Sequence, residues 1–347
     1  MYNILNIFVI ETELQYLSFS AIQKIQPDNS RSIIFTTSDR VYKRLCLEGC
    51  PCELVSRKSS GWLGRLIRIR KNLALYKERI IQQGSDISEI NFHVPRIDNI
   101  HNNIAINFLK HNFSGAEVNV RLIPDGAINI FSCELSISKL RKQKRWLGNV
   151  GFKLFPDMKY HQYDGDELGA EAEAVDRIYC FKGVETSYPR NKVYMIELPI
   201  SVSSSVEDER SVLVIGQNFL QLGTASEDYI DQVSNEVYRL VKGFESHRVD
   251  YAPHPRSVYN EFGREEYSVI DADYLCIEER IAKGGYEHIV SCYSSALINS
   301  KIMFGDDINI YSVGLDCFPF PDQTQGEKLI KAYKDLGIKV IGLTKEQ

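Results

Sequence analysis

The feature that most constrains this chain is a rhythm of short β-branched runs separated by longer helical patterns. "NILNIFVIE" (3–11), "SIIFTT" (32–37), "CELVS" (52–56), "EINFHV" (89–94) and "EVNVRLIP" (117–124) are too short for helices and rich in residues that favour a pleated surface. Between them, 14–25, 39–48, 61–83 and 99–112 carry helical spacing. Alternating β and α elements predict a parallel sheet covered on both faces. The rhythm fails across 126–198, then returns after the Ser-rich, charged stretch "ELPISVSSSVEDERS" (197–211), which reads as a linker. Beyond it, strands are expected at 211–219, 247–256, 267–271, 287–293, 308–314 and 339–343, with helices at 225–244, 274–283, 294–303 and 325–336.

The expectation is therefore an α/β protein of two doubly wound, Rossmann-type domains facing a central cleft. Ligands of such sheets bind at the carboxyl ends of the strands. Nucleotide-sugar glycosyltransferases of GT-B type are built this way, and so are some epimerases and binding proteins, so architecture alone does not choose a function.

Composition narrows the field. With 347 residues and a net charge of −5, nothing general points to nucleic acid. No run approaches the ~20 apolar residues needed to cross a bilayer. The start, "MYNILNIFVIETELQYL", lacks a basic n-region and carries Glu11 and Glu13 in place of a signal peptide's apolar core. A cytoplasmic protein is expected, with a peripheral place at the inner membrane face as a further option. Eight cysteines are scattered, and "CLEGCPC" (46–52) has no second ligand pair at zinc spacing, so reduced thiols are expected. "DGD" (164–166) and "DAD" (271–273) have the DxD form of metal-dependent transferases, but turns and helix caps account for them more simply, and no metal is expected.

Four stretches could carry chemistry. In "RLIPDGAINIF" (121–131), Asp125 and Gly126 follow a strand. They are either a plain turn or a carboxylate at the sheet's C-terminal edge, able to take a proton from a hydroxyl. In "YAPHPRSVYN" (251–260), His254 stands between Pro253 and Pro255 on what should be a stiff, extended segment: either a strand exit or a rigid perch for an imidazole. In "HIVSCYSSALINSK" (288–301), Ser294 and Ser295 open a helix, as a cap or as an anion site at its positive end. In "VIGQ" (214–217), Gly216 allows a tight turn or close approach of backbone to ligand.

Taken in order, Asp125-Gly126, His254-Pro255 and Ser294-Ser295 resemble the motifs of bacterial GT-B sialyltransferases, the lipooligosaccharide sialyltransferases and capsule polysialyltransferases. "VIETELQYLSF" (9–19) is similar to that family's first strand and turn, and "VLVIGQ" to the opening strand of its second domain. The family usually has two acidic residues before the glycine. Here Pro124 takes the first place, a departure that bears on the base's geometry and on acceptor or donor class.

The resemblance implies residues 1–198 as an acceptor-side domain, 199–211 as linker and 212–347 as the nucleotide-sugar domain. It implies a CMP-activated nonulosonic acid, such as sialic acid, as donor, no separate cofactor, and direct displacement with inversion onto a glycan hydroxyl of a surface polysaccharide or lipooligosaccharide. Asp125 becomes the base, His254 the group on the departing phosphate, and Ser294 and Ser295 its grip. Pro255, Gly216 and Gln217 lie on the nucleotide side. Glu278, with Glu279 as rival, is the expected ribose carboxylate, and Gln15 and Gly126 face the acceptor. Three alternatives stay open: a GT-B transferase using a UDP- or GDP-sugar, a non-catalytic nucleotide- or glycan-binding protein, and a membrane-docking structural partner. Finally, 56–80 and 138–146 are strongly basic. They read as a solvated cationic face, or as contacts to anionic lipid or charged glycan.

Overall fold

The computed structural model describes residues 3–56, 61–126, 135–148, 155, 157–183, 185–201, 211–246, 248–270, 275–320 and 323–344. Arg57, Lys58, Cys133, most of the expected linker (202–210), the "DAD" stretch (271–273) and the continuation of the Asp-Gly stretch (127–131) lie outside them. The chain divides into two compact units, Met1–Pro199 and Ile200–Gln347.

In the first unit the order is β1 (Ile4–Ile10), α1 (Glu13–Gln23), β2 (Ser30–Thr36), α2 (Asp39–Leu47), β3 (Cys52–Leu54), α3 (Gly61–Ile81), β4 (Glu89–Val94), α4 (Ile100–Asn112), β5 (Glu117–Leu122), α5 (Ile137–Leu147), β6 (Val175–Phe181) and β7 (Val193–Ile196). Its strands form one sheet, β3-β2-β1-β4-β5-β6-β7, with every neighbouring pair parallel. β1 shows why its run is almost wholly apolar. Leu5, Ile7 and Val9 join the core that includes Leu66, Ile69 and Leu73 of α3 and Ile104 and Phe108 of α4. On the other face, Phe8 meets Phe19 of α1 edge-on at 4.9 Å. A strand covered on both sides has no solvent face to mark with polar residues.

In the second unit the order is β8 (Ser211–Ile215), α6 (Phe219–Leu222), α7 (Glu227–Lys242), β9 (Arg248–Ala252), β10 (Ser268–Val269), α8 (Ile277–Gly284), β11 (His288–Ser291), α9 (Ser295–Phe304), β12 (Asn309–Val313), α10 (Gln323–Asp335) and β13 (Lys339–Ile341). Its sheet is also parallel throughout, β10-β9-β8-β11-β12-β13. Numbered within the unit this is 3-2-1-4-5-6, the doubly wound dinucleotide-type order, and strands β3-β2-β1-β4-β5-β6 of the first unit repeat it. In each unit the order reverses beside the first strand, between β1 and β4 and between β8 and β11. That reversal opens a crevice at the carboxyl ends of the strands.

Two expectations are corrected. The strand expected over 247–256 stops at Ala252, because Pro253 has no N–H to continue the ladder. His254 is not on an extended segment: its carbonyl accepts from the Ser257 N–H at 2.9 Å, so His-Pro-Arg-Ser forms a turn with Pro255 second. The strand in 211–219, expected to end in Gly216, ends one residue earlier at Ile215, leaving Gly216 and Gln217 in the following loop.

Candidate active site

In the first unit the site starts with helix capping. Thr12 caps α1, its Oγ1 accepting from the Gln15 N–H at 3.3 Å. Thr-x-x-Gln is the spacing of a capping box, in which the fourth residue's side chain turns back to a free N–H before the helix. Gln15 does this one residue early: its Oε1 accepts from the Glu11 N–H at 2.6 Å. That fixes the amide, and its Nε2 donates to Oδ1 of Asp125. Gln15 is 1% exposed, whereas Asp125 and Gly126 are half-buried just past β5. Gly126 has φ +89°, a value that favours glycine and lets the chain turn sharply after the carboxylate. Ser18 Oγ on α1 reaches the Pro124 carbonyl at 3.5 Å and ties the same turn down.

Sequence reasoning missed the residues beside this carboxylate. Arg96, two residues past β4, holds Asp98 through two nitrogens, Nη2 to Oδ2 at 2.7 Å. Lys139 of α5 also donates to Asp98. Burial alone would raise the Asp98 carboxyl, but the two cations outweigh it and hold the group below its usual value. The Arg96 guanidinium is raised, first by its bond to Asp98 and against the cost of burial, with the charge of Asp125 adding to the effect. Their place is set by the sheet order and not by a sequence motif: "PRID" (95–98) follows β4 at the point where strand order reverses.

In the second unit the expected residues lie along one sheet edge. β8 and β9 pair with Ile215 opposite Ala252, so Gln217 and His254 each stand two residues beyond the same rung. The Arg256 N–H donates to His254 Nδ1 at 3.2 Å. In a neutral imidazole that bond leaves the ring proton on Nε2, the nitrogen farther from the backbone. Gly216 is required for packing: a Cβ there would come within 2.5 Å of the Tyr251 hydroxyl. Gln217 is buried, and its Nε2 donates to Ser291 Oγ at 2.8 Å; Ser291 donates in turn to the Ile215 carbonyl at 2.9 Å. This relay joins the ends of β8 and β11 across the reversal.

Ser294 is the N-cap of α9, its Oγ accepting from the Ala296 N–H at 3.3 Å, and Ser295 is the helix's first residue. Both are half-buried. A helix start of this kind presents N–H groups and a positive dipole end to an anion. Glu278, 3% exposed, accepts from Asn299 of α9 at 2.8 Å, and burial raises its carboxyl above the usual value. It braces α8 against α9. Glu279 is occupied in a capping box with Cys276, receiving the Cys276 N–H at 3.0 Å.

The described acidic motif, "DGD" (164–166), has a structural use. Asp166 is buried and accepts the N–H groups of Leu168 and Glu171 at 3.3 and 3.1 Å. Cys46 and Cys52 lie 3.9 Å apart as free thiols. Among the described residues, no group of three His, Cys, Asp or Glu side chains is placed to hold a metal ion, and no helix is long and apolar enough to cross a membrane.

Residues 154–313 match the alpha-2,8-polysialyltransferase family. The chain has a GT-B-type α/β fold, and its 154–313 stretch is similar to sialyltransferases of that family. The matched stretch contains Gln217, His254, Glu278, Ser294 and Ser295, while Gln15 and Asp125 precede it. The fold is similar to that of the alpha/beta-galactoside alpha-2,3-sialyltransferase of Photobacterium phosphoreum, at TM-score 0.58 and 10% identity, covering 97% of this chain and 98% of that one. It is also similar to the UDP-GlcNAc 2-epimerase of Neisseria meningitidis (TM-score 0.54, 9% identity, 98% and 87% covered) and to the glycotransferase of kitacinnamycin (TM-score 0.51, 9% identity, 99% and 87% covered). Identities this low speak for the fold alone. No curated protein matches the sequence.

Proposed function

We propose that this sialyltransferase-like chain moves sialic acid, or a related nonulosonic acid, from its CMP-activated form to a glycan hydroxyl, with inversion and without a metal. Asp125 takes the acceptor proton as the acceptor oxygen bonds to the anomeric carbon. The bond from that carbon to the phosphate oxygen breaks on the opposite side, and CMP leaves with the electron pair. The phosphate gains negative charge as it departs. The Nε2–H of His254 and the N-terminal groups of α9, with Ser294 and Ser295, are chemically suited to receive it. Gln217 and Gly216 shape the nucleotide side.

The observation that carries this reading is the hydrogen bond from the Arg256 N–H to His254 Nδ1. In a neutral ring it leaves the proton on Nε2, which supports a role for His254 at a leaving phosphate, and it lies inside the stretch that matches the polysialyltransferase family. The synthesis of a surface polysaccharide or lipooligosaccharide is the setting this chemistry fits.

The test is CMP release and glycan extension with a CMP-sialic acid donor in the presence of EDTA, for the native chain and Asp125→Asn. The proposal expects transfer in EDTA by the native chain and loss of about 100-fold or more in the variant, the usual scale for a general base. Near-native transfer by Asp125→Asn, or transfer only with added Mg²⁺, refutes it.

A further inference from the structure

α3 and α5 turn large apolar side chains outward among cations. On α3, Leu63 and Ile67 stand one turn apart on the solvent side, 56% and 50% exposed, and Trp62 at the helix start is 61% exposed. Arg70 and Lys71 continue the exposed side. On α5, Ile137 and Leu140 are 70% and 41% exposed, with Arg141, Lys144 and Arg145 exposed among them. The first half of α3 and all of α5 contain no acidic residue. The two helices cover one core, in which Trp146 of α5 and Leu66, Ile69 and Leu73 of α3 are buried together. Lys142 of α5, whose ammonium is pushed down first by desolvation and then by Lys139, is also depressed by Arg65 of α3. Such residues need a reason to be outside, since single exposed hydrophobics are ordinary but a cluster of five on two helices over one core is not.

We propose that the outward faces of α3 and α5 form one docking face for an anionic lipid surface. The charge selects an anionic partner, and the apolar residues select one with a hydrocarbon layer beneath its charged groups. A basic, amphipathic helix face with Trp and Leu is the form that lies in a membrane interface. A purely polar polyanion would satisfy the cations and leave Leu63, Ile67, Ile137 and Leu140 wet. This docking is independent of the sugar-transfer reading, because none of these residues belongs to the Asp125 or His254 edges.

The experiment is co-sedimentation of the full chain with phosphatidylcholine vesicles, with and without phosphatidylglycerol, alongside Trp fluorescence. The sequence has two tryptophans. Trp146 is already buried, so a shift of emission to shorter wavelength on vesicle addition reports Trp62, and Trp62→Phe should abolish it. Binding is expected only to the anionic vesicles. Leu63→Asp/Ile67→Asp and, separately, Ile137→Asp/Leu140→Asp should each weaken it at least about tenfold, as lost apolar burial in an interface requires. These exposed positions should leave the melting temperature unchanged. No binding, equal binding to neutral vesicles, or wild-type binding by both double variants overturns the proposal. So does tight binding to a soluble anionic polysaccharide that vesicles do not compete.

Discussion

Replacing Gln15 by Leu tests the coupling between a helix cap and the proposed base. The substitution keeps the volume of a side chain that is 1% exposed. It removes the donor to Asp125 Oδ1 and the acceptor for the Glu11 N–H. A hydrogen bond to a charged group is worth about 1.5–3 kcal/mol. If the transition state needs Asp125 held in that orientation, the loss appears there and lowers kcat by about 10- to 100-fold. The orphaned Glu11 N–H at the helix start costs stability as well, about 1–3 kcal/mol if it stays out of water. The assay is initial-rate sialyl transfer at saturating donor, with a melting curve to confirm that the variant is folded at assay temperature. CMP affinity, measured by calorimetry, should not change, since Gln15 belongs to the other unit from the nucleotide residues. A folded variant with kcat within about twofold of native, or one whose whole defect lies in CMP binding, would show that Asp125 does not depend on Gln15.

Two further outcomes follow. On the proposed role of His254 at the leaving oxygen, His254→Ala should lower transfer by about 100-fold or more while CMP still binds; single-turnover kinetics and CMP titration separate the two effects. Glu278→Gln tests the buried carboxyl. Its folded-state proton affinity is raised by burial, so its contribution to stability is fully present below the unfolded value and is lost as pH rises through the folded one. Across that window the native chain should lose stability relative to Glu278→Gln at up to about 1.4 kcal/mol per pH unit. Parallel melting curves for the two proteins across pH would contradict the assignment.

Much of the fold was legible because parallel strands covered on both faces leave continuous apolar runs. β6 and β7 were not. β6 carries Asp176, and Asp176 pairs with Arg121 of β5 at 3.3 Å, while Arg121 reaches Glu89 of β4 at 3.2 Å. That charged row crosses one sheet face and disguises the strand as a loop. β7 is an edge strand of four residues with Tyr194 and Met195 exposed, too short to show a period. At the site, Asp125, His254 and the Ser294-Ser295 cap could be picked from their neighbours. The turn holding His254 could not, because two prolines suggest extension when read locally, and the Ser257 N–H that closes the turn comes three residues later. Gln15 was singled out by resemblance, although the Thr12-x-x-Gln15 spacing is a physical sign of its role. Arg96 and Asp98 went unnoticed because their value comes from where β4 ends in the sheet order, which the sequence does not display.

The most direct measurement is NMR of the product formed from CMP-sialic acid and a glycan acceptor. The account predicts one CMP released per sialic acid transferred, and an anomeric configuration inverted relative to the donor. A product with retained configuration, or turnover with UDP- or GDP-sugars and none with the CMP donor, would contradict it.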